Sequence, residues 1–547
     1  MKTFEANIVD IRRERIFFGS IEVSRETGRI GRITEAGSEN PSAPYILPGF
    51  IDSHIHIEST LLTPENYAPL AAAHGVTGAV CDPHEIANVL GVEGVEFMLE
   101  SASKVRFNFH FAASPCVPGT SFEHSGAALG PSEVEALLQR DEIYGLGEMM
   151  NVPGLVAGDP DVLAKIRAAK DAGKPIDGHM AGAPEEWVKK CAEAGICTDH
   201  ESMDIDDALL KLKHGLSILI REGSAACNYN DLSPLLADGR YSGKLMFCSD
   251  DKYADELLEG EYIDGLVRES VRRGYPLWTV LRAACINPVE TYGLSDGTLR
   301  KGDRADFIVV DNLKDFRILE AFVGGEKAGE KIISAPLGSA LPNNFKAGKL
   351  LPEDMAVKAV SEKIRVIKIN DGQLVTEALE CKARIEDGQA VSDIQEDILK
   401  VIVYNRYTPG AKPSVAFVRG FGLKGGAIAS SIGHDSHNIT ALGTSDSEIA
   451  AAVNAIVETG GGMSVSVPGK GTVVLPLPVA GLMSGDEGHE VAAGYHRIKD
   501  AISAIGCPLK APLMTMAFLS LPVIPALKLT DASLFDVVNF TPCDLFL

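Results

Sequence analysis

Between residues 46 and 290, eight short apolar runs each stop at a polar residue, and helix-like stretches separate them. The runs are GFIDSHIH, GVTGAVCDPH, FNFHFAASP, IYGLGEMM, PIDGHMAG, GICTDHES, LSILIREGS and KLMFCSDD. Between them lie helical patterns such as PSEVEALLQR and PEEWVKKCAEA. Such alternation marks βα units, and successive βα units build parallel sheets. Eight in a row fit a (β/α)8 TIM-like barrel. Functional groups of that architecture sit at the C-terminal ends of the strands, where the polar ends of these runs fall.

The flanks have a different texture. ANIVDI, RIFFGSIEVS and GRIGRITEAG, within residues 1–45, read as short strands with polar turns. GTLRKGDRADFIVVDN returns to that pattern after residue 295. The barrel, residues 46–295, is therefore expected as an insertion in a small β domain made of 1–45 and 296–345. Residues 346–547 read as a C-terminal α+β domain, with strands in IRVIKI, SVAFVRGFG and GTVVLPLPVAGLM and a strong helix in SDSEIAAAVNAIVETGG. The whole chain is thus α/β in class. VETGGGMSVSVPGKGTVV lacks the spacing of a phosphate-binding loop and reads as a turn.

Charge and composition exclude several partners. A formal net charge of -24 repels nucleic-acid backbones and anionic membranes. The N-terminus, MKTFEANIVDIRRERIFF, has no apolar core of a secretory signal. No run approaches the roughly 18 apolar residues of a membrane span. MTMAFLSLPVIPALKL comes nearest, but it is short, broken by prolines, and reads as buried core. Ten cysteines without a CxxC suit reduced thiols in a cytoplasm. The H-x-E and P-C-x-x-C zinc signature is absent, so any metal must be held by histidine and carboxylate.

Residues two apart in a strand share a face, so His54 and His56 project together from the end of the first run. Glu148 ends the fourth run, His179 the fifth, His200 the sixth and Asp250 the eighth. Four imidazoles and two carboxylates at one mouth can hold two divalent cations, with Glu148 as a bridge. Two cations about 3.5–4 Å apart acidify a shared water. Asp250 can ligate one cation and shuttle the proton. Asp251, its neighbour, is expected to point away if the strand continues. Donors of this kind without thiolate suit manganese, iron or zinc.

PGFIDSHIH, followed by Glu148, His179, His200 and Asp250 and by GTLRKGDRADFIVVD, resembles the amidohydrolase superfamily over residues 1–345. Many members carry a carboxylated lysine on the fourth strand, where this chain has Glu148 in GLGEMMN. HIHIEST, DPHEIANV, GHMAG, DHES and CSDD narrow the resemblance to the bacterial adenine deaminase family. GHDSHNITALG and LMTMAFLSLPVIPALKLTD extend it over nearly the whole chain. The resemblance implies hydrolysis of adenine to hypoxanthine and ammonia, in purine salvage, by a hydroxide bridging two divalent metals. It tilts the metal to manganese or iron, with zinc behind. Another binuclear amidohydrolase, cleaving a cyclic or acyl amide, is the alternative. The expected partner is a small purine base, with no nucleic acid and no membrane, and the chain is expected to form a homo-oligomer, a dimer or higher, in the cytoplasm.

Deamination also needs a group that protonates the ring nitrogen and then the departing amine. Asp82, His84 and Glu85 in DPHE follow the second run. Glu85 is the favoured acid or base, acting with Asp250. The triplet can instead assist a further metal, or Asp82 can simply cap a helix before Pro83. Arg221 and Glu222 end the seventh run and either meet the purine edge or form an ion pair. Glu58 is open between a place beside the metals, a supporting contact and a loop. HDSHN packs His434, Asp435, His437 and Asn438 into five residues. That loop either reaches the barrel mouth, of the same or another subunit, or is a local polar turn. His74, His110, His124, His214, His489 and His496 are expected to be structural or exposed.

Overall fold

The computed structural model describes residues 1–332 and 341–547. Each of the eight runs forms a barrel strand. In order they are Phe50–Ile55, Val76–Cys81, Asn108–Ala113, Ile143–Met149, Ile176–Gly178, Thr198–Asp199, Ser217–Arg221 and Leu245–Cys248. Neighbours pair in parallel, the first five in one sheet and the last three in another. Bridges close the two gaps, Ile176 to Ile196 on one side and Ile55 to Asp250 on the other. At the second seam His56 N donates to Asp250 O at 3.1 Å, and Asp250 N donates to His54 O at 2.9 Å. Barrel closure thereby puts His54, His56 and Asp250 side by side.

The helices lie where the sequence pattern places them. Pro131–Leu138 begins with proline at its first turn, where no amide hydrogen is needed. Glu185–Glu193 buries Val188 and Cys191, three apart on one face. All six residues of Val76–Cys81 are buried, as expected of a parallel strand covered on both faces.

Strands from both sides of the barrel share one seven-stranded sheet. Tyr45–Pro48 lies between Lys2–Asp10 and Phe307–Val310, parallel to the first and antiparallel to the second. The chain thus enters and leaves the barrel through this one sheet. Phe307 and Phe322 stack in its core and Phe4 meets both edge-on, with ring centroids 4.9–5.0 Å apart. Within the 296–345 segment, residues 333–340 lie outside the described residues.

The C-terminal part is an eight-stranded sheet backed by Asp446–Thr459 and Gly488–Ala504. Ser445 caps the first of these helices, and Gly460 ends it at φ 71°, a left-handed conformation that favours glycine. The glycine-rich stretch is this helix end followed by the hairpin of Gly462–Val467 and Gly471–Pro476. Leu61 and Leu62 of the barrel share one continuous apolar core with Leu482 and Met483. Met514–Leu529 is largely buried, and it also reaches the barrel mouth. The ten cysteines are free. No helix among the described residues is long and apolar enough to cross a membrane.

Candidate active site

His54 and His56 leave the first strand on the same face, and their Nε2 atoms lie 3.2 Å apart. Asp250 Oδ1 lies 3.1 Å from His56 Nε2 and 3.7 Å from His54 Nε2. Glu148 occupies the centre. Its Oε1 lies 3.2 Å from His84 Nδ1 and 3.5 Å from His56 Nε2. Its Oε2 lies 2.9 Å from His179 Nδ1 and 3.1 Å from His200 Nε2. The ring of His200 stacks on His54, with centroids 4.1 Å apart. All six side chains singled out as ligands therefore converge, and His84 joins them.

Helix His84–Leu90 starts immediately after the second strand and carries His84 and Glu85 inward, both buried. Asp82 does not cap this helix, whose N-cap is Pro83. Its carboxylate instead accepts from Ser114 Oγ and, at 2.8 Å, from the backbone N–H of Glu148. Asp82 thus fixes the strand that presents Glu148 and stands behind the cavity. Glu58 accepts from Ile86 N at 3.1 Å and satisfies an open amide in the first turn of the helix. Burial pushes the Glu58 carboxyl up to about 7.

The HDSHN loop is more than a local turn. His434 Nδ1 and His437 Nε2 grip the two oxygens of Glu85. Asp435 Oδ1 lies 3.9 Å from His84 Nε2. His434 and Asp435 line the same cavity as His56, Glu148, His179 and His200. The loop belongs to the same chain as the barrel it caps.

Arg221 is buried and paired with both Glu201 and Asp250. Glu222 takes a different direction and lines a separate cavity with Tyr229 and Lys252. Asp251 corrects the sequence-based expectation, because it lines the active cavity beside Asp250. The eighth strand stops at Cys248, and Asp250 has φ 61°, so the alternation of a strand no longer holds there. One further group was not singled out. Glu201 lies 3.7 Å from His200 Nε2. It sits inside a motif already quoted, DHES, which was the available signal. The remaining histidines have structural partners where contacts occur, such as Asp264 for His74, Asp296 for His110 and Asp531 for His124.

The charges explain the protonation states. Burial works against ionised Asp250, yet the Arg221 guanidinium and neighbouring imidazoles hold its carboxyl well below the usual range. Burial likewise opposes ionised Glu85, and His434, His437 and His84 outweigh it. Burial and the neighbouring His200 and His56 push His54 well below the ordinary imidazole range, leaving a neutral ring with a free lone pair. His54 Nδ1 and His84 Nδ1 are buried without a hydrogen-bond partner among the described residues. Burial opposes charge at His56, His179 and His200, but there the facing carboxylates outweigh it and push the rings up. Imidazoles and ionised carboxylates converging from separate strands are a donor set that fits divalent cations.

A barrel with such a cluster at its strand ends defines a metal-dependent hydrolase, and residues 45–332 match the model of the amidohydrolase family. Residues 373–541 match the adenine deaminase C-terminal domain. An adenine deaminase of Salinibacter ruber is 49% identical, covering 98% of both chains. One of Methanosarcina mazei is 44% identical over 100% of each, and one of Borreliella burgdorferi 39% identical over 98% of each. The chain belongs to the adenine deaminase family of amidohydrolases. Among solved structures, a β-aspartyl dipeptidase of Fervidobacterium islandicum matches at 18% identity and a TM-score of 0.44, over 60% of this chain and 98% of its own.

Proposed function

We propose that this enzyme hydrolyses adenine to hypoxanthine and ammonia at the barrel mouth. The observation that carries the site assignment is Glu148, whose two oxygens face two different sets of imidazoles. That arrangement supports a pair of divalent cations held by His54, His56, Glu148, His179, His200 and Asp250. These donors suit manganese, iron or zinc, and the family resemblance favours manganese or iron. When bound, such a pair lowers the pKa of water and supplies the nucleophile at neutral pH.

The chain's own groups do the rest. Asp250 has one oxygen toward His54 and His56 and the other on Arg221, so it is oriented to take a proton from the attacking water. Arg221 fixes that orientation and neutralises Glu201 beside it. Glu85 also lines the cavity, held by His434 and His437. The two protons of the attacking water balance the reaction: one, taken by Asp250, goes to the departing amine, because amide ion is a very poor leaving group, and the other reaches the ring nitrogen through Glu85. Asp82 serves as an accessory group that fixes Glu148.

The homo-oligomer, a dimer or higher, and the cytoplasmic setting belong to the same proposal. Ten free thiols support a reducing compartment. The deciding assay is ammonia release from adenine by manganese-loaded protein, run beside dihydropyrimidines and acyl amides. Turnover of those amides without turnover of adenine would reject the reading.

A further inference from the structure

The barrel side of the active cavity is almost wholly polar, and its opposite wall comes from the C-terminal domain. Leu374, Phe518, Leu521 and Ile524 form that wall. Phe518 stacks on His434, with ring centroids 4.5 Å apart and 22° between planes. Phe518 and Leu521 are buried, while Leu374 and Ile524 are partly exposed at the rim. A flat aromatic base needs an apolar surface for its faces as well as polar groups for its edge. Most of the apolar surface in this cavity is here.

The wall is assembled from separate segments that meet at one buried side chain. Lys528 is fully buried. Its Nζ donates to Leu374 O at 3.0 Å and to Phe518 O at 2.9 Å. It forms no ion pair among the described residues. Burial alone pulls it down to about 7, so a neutral amine is accessible. The buried Phe518 carbonyl would otherwise be left without a donor in an apolar interior, which is costly. One flexible side chain with several donors satisfies both carbonyls together and sets the spacing of their segments. Thr376 adds a second clasp. Its N–H donates to Pro525 O, and its hydroxyl to Leu527 O, each at 2.9 Å. The segments bearing Leu374, Phe518 and Ile524 are thereby fixed to one another.

We propose that these four apolar residues are the roof over the bound base, and that Lys528 is a positioning residue that sets the roof's height. This rests on adenine being the substrate. The roof acts in binding and in selecting the free base, whereas the polar groups on the opposite side act in the chemistry. A lowered or loosened roof therefore raises KM more than it lowers kcat.

The test uses the full-length, metal-loaded enzyme and the variants Lys528→Met, Leu521→Ala and Ile524→Ala. Metal content and thermal unfolding are recorded beside the kinetics. In folded Lys528→Met, KM for adenine is expected to rise about tenfold while kcat changes much less. The preference for adenine over its N9-ribosylated form, adenosine, should narrow in the same variant. Leu521→Ala and Ile524→Ala should move KM in the same direction, and they decide the matter if Lys528→Met does not fold. Unchanged KM in the folded variants, or a fall in kcat at constant KM, overturns the roof while wild-type deamination leaves the substrate intact. A wild type that releases no ammonia from adenine overturns both.

Discussion

The buried carboxylate of Glu85 pairs with Nδ1 of His434, and this contact ties the barrel to the C-terminal domain at the reaction site. His437 takes the other oxygen. The family's C-terminal domain thus contributes directly to the constellation rather than merely flanking it.

Glu85→Gln should keep the shape of this contact and lose the titrating group. The expected result is a fall in kcat of about 10²–10⁴ with little change in metal content. His434→Ala should lower kcat in the same direction. Steady-state ammonia release with metal analysis on both variants checks this, and wild-type kcat in Glu85→Gln would remove Glu85 from the chemistry.

Glu148 faces both sets of imidazoles, so Glu148→Ala should abolish deamination. His179→Ala should do the same. Circular dichroism is expected to show the wild-type fold in each, because the barrel core does not depend on these side chains. Substantial residual turnover in either would reject the site.

Stripping the protein with a chelator should remove activity, and adding manganese should restore it. Full recovery is expected at two equivalents per chain, read by titrating metal against ammonia release. Saturation at one equivalent would reject the binuclear arrangement.

Arg221 is buried with two carboxylates, Glu201 and Asp250. Arg221→Met leaves both without their cation. A loss of about 3–5 kcal/mol is expected, as for other broken buried pairs. Thermal unfolding measures it. Activity should also fall, since Asp250 loses the contact that aims it.

Lys528 gives a pH-dependent contribution. Its folded-state pKa is pulled down to about 7 by burial, against about 10.4 in an unfolded chain. Between those values the unfolded state binds the extra proton, so stability from this group rises with pH. Below about pH 7 both states are charged, and the burial cost is fully present. The gain is at most about 1.4 kcal/mol per pH unit within the window. Wild type should therefore gain on Lys528→Met between pH 7 and pH 9 in thermal unfolding; a constant difference would contradict the buried neutral amine.

The eight apolar runs determined the barrel, because a run of that length bounded by polar residues has few ways to bury itself except as a covered parallel strand. They also determined that His54, His56, Glu148, His179, His200 and Asp250 would meet, since barrel geometry collects strand ends at one mouth. GTLRKGDRADFIVVDN announced the return to the small β sheet. Short-range pattern was sufficient for each of these, as periodicity along the chain is what they rest on.

Tertiary structure alone decided the rest. Asp251 joined the cavity because Asp250 takes a left-handed turn after the strand stops. Asp82 does not cap the helix and instead accepts from the Glu148 backbone N–H across the barrel. HDSHN reached Glu85 through packing of two domains, and Lys528 joined distant segments of the C-terminal part at the cavity wall. Contacts between segments far apart in sequence leave no period to read, and only the folded chain brings them within hydrogen-bond distance.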